Sequence, residues 1–199
     1  MPARTSPACG RRARQGTQRP RGARLRHHVS KLLPYGPDQL FQLVGDVAAY
    51  PEFVPWINGM RTWNARHLSE GVEALDAEAG VGFAFLKERF STRVRRDAIN
   101  RQIDVTLLSG PFRKLENRWR FLEAGHGCTR VEFDIDFEFK SRLLGAVLTA
   151  NFAHAVDKLM GCFEARARSL YGEARPAVGT QPEAQVRLGA REPAARKLR

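Results

Sequence analysis

The first apolar run, Val29 to Leu33, predicts a strand that Pro34-Tyr35-Gly36-Pro37 ends. Leu40, Phe41, Val44 and Val47 then recur at helical spacing behind Pro37 and Asp38, residues that suit a helix start. The helix is expected to stop before Tyr50-Pro51, because a residue preceding proline avoids the helical region. The segment Tyr50-Pro51-Glu52-Phe53-Val54-Pro55-Trp56-Ile57 sets two prolines among large apolar side chains, which predicts neither a regular helix nor a central strand. Two roles fit it equally: a plug at the edge of a core, or an apolar lip on a ligand cavity.

From Asn58 onward the period becomes two. Segments 58–68, 72–79, 82–96, 101–109, 114–123 and 129–139 are separated by turn residues at Ser69-Glu70-Gly71, Gly80, 97–100, Gly110-Pro111 and Gly125-His126-Gly127. Their close spacing predicts antiparallel hairpins. In the last segment Val131, Phe133, Ile135, Phe137 and Phe139 alternate with charged residues, so the sheet has one dry and one wet face. Ser141 to Leu170 lacks proline and repeats Leu144, Val147/Leu148, Asn151, Ala155, Leu159, Cys162/Phe163 and Leu170 at helical spacing. The expected order is β–α followed by six strands and a long helix. The expected fold is α+β: a curved antiparallel sheet wrapped around the C-terminal helix, with an apolar cavity between them.

Some polar residues fall on the dry face. Glu88 and Thr92 share a row with Leu86, Phe90 and Val94; Asn117 shares one with Leu115, Trp119 and Phe121; Asn151 sits in the helical stripe. A buried polar group without a partner costs ~1–3 kcal/mol. These groups therefore satisfy one another, sit at a rim, or orient a ligand's head group. Lys87, Arg89, Arg93, Arg95 and Arg96 are expected on the wet face with Arg118 and Arg120. Cross-strand pairing with Glu116, Glu132, Asp134, Asp136 and Glu138 accounts for them; an acidic partner or an RNA surface is the alternative.

Net charge changes the picture only once it is located. The 199 residues carry 33 Lys+Arg and 21 Asp+Glu, a formal +12. Residues 1–28 hold eight Arg and no acid, residues 29–172 hold 19 bases and 18 acids, and residues 173–199 hold six bases and three acids. The head and tail, rich in Pro and Gly, are expected to be disordered basic extensions around one domain at 29–172. The head suits a solvated extension, a ribosome-contacting arm or a transit peptide. A start near Leu25 would instead make it an annotation artefact.

Direct signs of catalysis are few. There is no G-x-S-x-G frame, phosphate loop or G-x-G-x-x-G, and the five His lack metal-ligand spacing. Glu88 and His154 are the candidate acid/base groups. The three Cys (Cys9, Cys128, Cys162) form no C-x-x-C, which indicates neither a disulfide scaffold nor a zinc site. No cofactor is expected.

Three motifs in order carry a resemblance: Tyr50-Pro51-Glu52-Phe53-Val54-Pro55-Trp56, Glu88-Arg89-Phe90-Ser91-Thr92-Arg93-Val94, and Gly110-Pro111-Phe112-Arg113-Lys114-Leu115-Glu116-Asn117-Arg118-Trp119-Arg120-Phe121. With the Phe-x-Phe-Lys before the last helix, they resemble the coenzyme Q-binding START-like family of the polyketide cyclase/dehydrase and lipid-transport superfamily. The resemblance spans about residues 26–172. It implies a helix-grip fold and a cavity for ubiquinone or a related polyprenyl lipid, in a non-enzymatic carrier or chaperone that supports respiration. Bacterial relatives are called ribosome association toxins, which block subunit joining, and the superfamily also holds aromatase/cyclase enzymes.

On that basis the expected ligand-binding residues are Tyr50, Phe53, Val54, Pro55, Trp56, Glu88, Phe90, Thr92, Phe112, Leu115, Asn117, Trp119, Phe133, Phe137, Leu148, Asn151, Ala155 and Leu159. The lipid head is expected inside and the tail leaving past Tyr50–Trp56. Expected partners are the polyprenyl quinone, transiently a membrane surface, and the ribosome through the basic extensions. The expected location is cytoplasmic, peripheral to the inner membrane, or the mitochondrial matrix if the head is a transit peptide.

Overall fold

Alternation of apolar and charged residues gives seven strands in one antiparallel sheet. A computed structural model of the chain describes residues 24–83, 86–141 and 152–173. The strands are β1 (Arg24–Leu33), β2 (Ile57–Ser69), β3 (Val72–Phe83), β4 (Leu86–Asp97), β5 (Gln102–Ser109), β6 (Phe112–Glu123) and β7 (Thr129–Phe139). Their order is β1-β7-β6-β5-β4-β3-β2, so β2 to β7 form a meander and β1 lies on the far side of β7. Helix α1 (Pro37–Gly45), a 3-10 turn (Val47–Ala49) and helix α2 (Tyr50–Phe53) link β1 to β2, and helix α3 (Phe152–Tyr171) follows β7.

The inner face of the sheet meets α1 and α3. Val131, Phe133, Phe137 and Phe139 of β7 are buried, as are Leu115, Trp119 and Phe121 of β6. Helix α3 contributes Val156, Met160, Phe163 and Ala167, spaced four, three and four apart. Two tyrosines tie α3 back to the start of the fold: the Tyr35 hydroxyl donates to the Gly172 carbonyl (3.2 Å), and the Tyr171 hydroxyl to the Gln39 carbonyl (3.0 Å). Gly110, at φ +138°, closes the β5–β6 turn where a Cβ would lie 2.5 Å from Phe90 Cβ, too close for any side chain.

Several expectations about the elements need correction. Strand β1 starts at Arg24, not Val29, because Arg24 and Arg26 find their acid partner across the sheet at Asp136. Tyr50 is helical (φ −54°, ψ −39°) despite the following proline, and Tyr50–Phe53 forms one helical turn. Proline is tolerated there because a first-turn N–H has no intrahelical partner to lose. Gly80 is not a turn; it pairs with Arg89 inside the β3–β4 hairpin. Arg96 points inward, sharing the parity of Val94: its guanidinium lies 5.4 Å from the Phe41 ring and donates to Gln42 Oε1 at 2.7 Å.

The helical stripe is also rotated from the one expected. Ala155 is exposed and Leu170 is 51% exposed, whereas Val156 and Met160 are buried. One position is a 100° turn, enough to exchange the faces. Leu144, Val147, Leu148 and Asn151 lie outside the described residues, as do residues 1–23 and 174–199.

Candidate functional site

The inner-face residues expected to bind ligand divide into two aromatic groups. At one end, Trp119 of β6 lies against Phe133 of β7 with centroids 4.2 Å apart. Phe163 of α3 meets Trp119 (5.3 Å), Tyr50 (5.2 Å) and Phe53 (5.2 Å). Val54 is fully buried. Arg166 of α3 donates to Glu52 at 2.6 Å and covers the Phe53 ring at 5.5 Å. The expected lip is thus held on the helix by aromatic contacts and a charged hydrogen bond, and its side chains fill this end of the core.

Tyr50 adds a polar clamp. Its hydroxyl donates to the Val44 carbonyl at 2.6 Å, and burial, aided by the charge of Asp46, raises its proton affinity well above that of a free phenol. Pro55 is exposed, and Trp56 is half-buried with its carbonyl accepting from the Gly82 N–H at 2.9 Å.

At the other end, Phe112 of β6 contacts Phe90 of β4 (5.3 Å) and Phe139 of β7 (4.8 Å), and Phe137 contacts Phe152 of α3 (4.6 Å). Leu115 completes this cluster. Between the two ends, His27, Ile135, Asn117 and Val105 lie in register across four strands. The Asn117 amide oxygen is buried there without a hydrogen-bond partner among the described residues. Thr92 is buried between Ala77 and Leu107 of neighbouring strands, and Glu88, half-buried, sits opposite Val81. Leu159 packs on the first cluster, whereas Ala155 faces away from it.

The candidate acid/base pair is not assembled. Glu88 is on the inner face of β4, His154 is exposed on α3, and no hydrogen bond or ion pair joins them among the described residues. Among the described residues, no three His, Cys, Asp or Glu side chains gather to hold a metal ion. No helix among them is long and apolar enough to cross a membrane.

The outer face divides by charge. Over β1, β7, β6 and β5 the ion pairs are dense. Asp136 accepts from Arg24 Nε at 2.7 Å and lies 3.1 Å from Lys114 Nζ; Asp134 meets His28 (2.7 Å) and Arg120 (3.3 Å); Arg118 meets Asp104 (2.6 Å). Arg24, through its hydrogen bond foremost, and Lys114 hold the Asp136 carboxyl far below the usual carboxylate range. A depression of about 660 Å³ spans the same strands, rimmed by Arg26, His28, Asp104, Arg118, Asp134 and Asp136. Over β2, β3 and β4 the pairs are fewer and longer. Glu78 is shared by Arg61 (3.9 Å) and Arg89 (3.7 Å), whereas Asp76 is held by Arg93 at 2.9 Å and Asn64 at 3.0 Å, and Asp97 by Arg95 at 3.0 Å.

The match along the sequence decides the family. Residues 33–164 match the family described as polyketide cyclase/dehydrase and lipid transport. The chain belongs to that family. Among relatives of the polyketide cyclase/dehydrase and lipid transport family, a ribosome association toxin RatA from Pseudomonas aeruginosa is 34% identical over 143 residues, covering 72% of this chain and 95% of that protein. The coenzyme Q-binding protein COQ10 homolog B from Xenopus laevis is 31% identical over 153 residues, 75% of this chain and 60% of that protein. The solution structure of the 18 kDa protein CC1736 from Caulobacter crescentus superposes with a TM-score of 0.65 at 62% identity, covering 75% of this chain and 99% of that one. START-superfamily structures share the same α+β architecture.

Sequence reasoning missed three features. Phe163, the hub of one aromatic cluster, falls in the expected helical stripe but not among the expected ligand-binding residues. His27 and Phe152 meet at 5.8 Å, in segments read as extension and as undifferentiated helix. Trp63 lies on the wet face of β2 among arginines; the alternation Arg61, Trp63 was the available signal.

Proposed function

We propose that this chain is a non-catalytic binding protein that acts on the ribosome and hinders the joining of its subunits. The observation that carries this reading is the relationship to ribosome association toxins along 95% of the length of the Pseudomonas aeruginosa protein. Two features support it. The inner aromatic side chains contact each other and α3, so one end of the sheet–helix interior is filled. The excess positive charge lies in the terminal segments and on the β2–β4 surface, where a polyanionic partner is favoured. The test is gradient sedimentation of the full chain with purified ribosomal subunits at low and high salt. The reading expects co-sedimentation with a subunit that weakens steeply as salt rises. A chain that stays at the top of the gradient at low salt overturns it.

A second reading, a carrier of ubiquinone or another polyprenyl lipid, is favoured by the likeness to the coenzyme Q-binding protein and by the Asn117 oxygen, buried on an apolar face with no partner among the described residues. That oxygen would accept a hydrogen bond from a ligand's polar head, while isoprene units contribute ~0.8 kcal/mol per buried CH₂. Lipid extraction of natively produced protein followed by mass spectrometry decides it: a co-purifying prenyl quinone supports it, and its absence removes it.

A further inference from the structure

Antiparallel partners share a face, so the register of β2, β3 and β4 fixes what their outer surface carries. Arg61 lies opposite Glu78, Trp63 opposite Asp76, and Arg66 opposite Ala74. On β4, Lys87, Arg89, Arg93 and Arg95 face outward beside Gly82, Gly80, Asp76 and Ala74. With Asp97, this surface has six cations against three acids, whereas the β1–β7–β6–β5 half is closely neutralised. Arg66 and Lys87 form no ion pair among the described residues, and the Arg61 and Arg89 side chains are 72% and 80% exposed.

Two further features shape the surface. The Arg61 guanidinium lies 5.0 Å from the centroid of the Trp63 ring, a planar cation on a partly exposed indole. Asn64, at φ +52°, sits in the β2 bulge that follows Trp63 and donates to Asp76. The bulge turns this edge strand away from regular pairing, the usual device against adding another strand. The β3 residues opposite Lys87, Arg89 and Arg95 are Gly82, Gly80 and Ala74, and the Asn58 side chain lies over the two glycines.

We propose that the outer face of β2–β4 binds single-stranded RNA, with Trp63 stacking on a base and Arg61, Arg66 and Arg89 meeting phosphates. A base presents a flat π-surface and a phosphate a bidentate acceptor, which an indole and guanidinium groups match. The proposal deepens the ribosome reading and rests on it only for the source of the RNA. The basic head adds affinity without setting the face.

The test is fluorescence anisotropy of a labelled single-stranded RNA of mixed sequence, titrated with the full chain, so that the head is common to all variants. Arg61→Gln with Arg89→Gln should weaken binding about ten-fold and lower the log–log salt slope by about 1.4, the loss of two single-strand phosphate contacts. Trp63→Ala should cost about five-fold or more and Trp63→Phe much less, since a phenyl ring still stacks. Lys158→Gln, an exposed cation on α3, should change little. Circular dichroism confirms folding of each variant, and the two arginines are exposed enough to be replaced without unfolding.

Folded variants that bind within two-fold of the parent, or an equal loss in Lys158→Gln, overturn the proposal. Competition by poly-glutamate as effective as by RNA of equal charge also overturns it and points to an acidic protein. If the full chain sediments with subunits and these variants do so equally well, the face is wrong and the ribosome reading stands. If the variants lose RNA binding while the parent never sediments with subunits, the face stands and the ribosome reading fails.

Discussion

The rings of Phe53 and Phe163 meet edge to face, centroids 5.2 Å apart and planes 73° apart, joining the proline-rich segment before β2 to the C-terminal helix. This contact makes the segment part of the core. Phe163→Ala is expected to lower unfolding free energy by about 3–5 kcal/mol and Phe53→Ala, whose ring is partly exposed, by about 1–2 kcal/mol. Urea unfolding measures both. Unchanged stability in both variants would show that the segment is a free flap.

The ion pairs on Asp136 and Asp76 make stability acid-sensitive. Hydrogen bonds from Arg24 to Asp136 and from Arg93 to Asp76 lower both carboxyl pKa values below the ordinary one. A group with a depressed folded-state value contributes stability above its unfolded value, about 3.9, and loses it as pH falls through the folded value. The parent is therefore expected to lose stability steadily below about pH 4. Asp136→Asn should be less stable at neutral pH and show a shallower loss over the acid range. Parallel stability–pH curves for parent and variant contradict this assignment.

Asn117 carries a buried amide oxygen with no partner among the described residues, between Val105 and Ile135. Asn117→Leu removes that desolvation cost and is expected to raise stability by about 1 kcal/mol in ligand-free protein. A loss of stability measured by the same unfolding experiment would mean that the amide is satisfied in solution.

Gly45 leaves room for Arg96: a Cβ there would lie 2.5 Å from Arg96 Nε, and Gln42 and Phe41 hold the guanidinium in place. Gly45→Ala should cost about 1–3 kcal/mol, as overpacking does. The cost should largely disappear in an Arg96→Ala background, a coupling that a double-mutant cycle reads directly. Equal costs in both backgrounds contradict the contact.

The sheet was legible because a period-two pattern with one dry face leaves little freedom: β7 matches its expected 129–139 bounds, and β2 and β6 differ from expectation by one or two residues. The edges were not. Arg24 and Arg26 look like part of a disordered head until Asp136, over a hundred residues away, supplies their charge partner. Tyr50 breaks the rule for residues before proline because tertiary contacts with Phe163 and the Val44 carbonyl outweigh a local preference. Ala155 and Val156 exchanged roles because a weak stripe interrupted by His154 and Asp157 fixes a helix face only to within one position. The inner aromatic residues were found, but sequence places them all on one face and cannot separate them into two clusters along it. Trp63 escaped notice because an aromatic on a wet face has no core pattern to complete.

The central claim is action on the ribosome, and light scattering of purified small and large subunits as they join tests it most directly. Folded full-length chain, added in excess over subunits, is predicted to reduce the amplitude of joining, with relief as salt rises. Joining that proceeds with unchanged rate and amplitude at the same excess and low salt contradicts it.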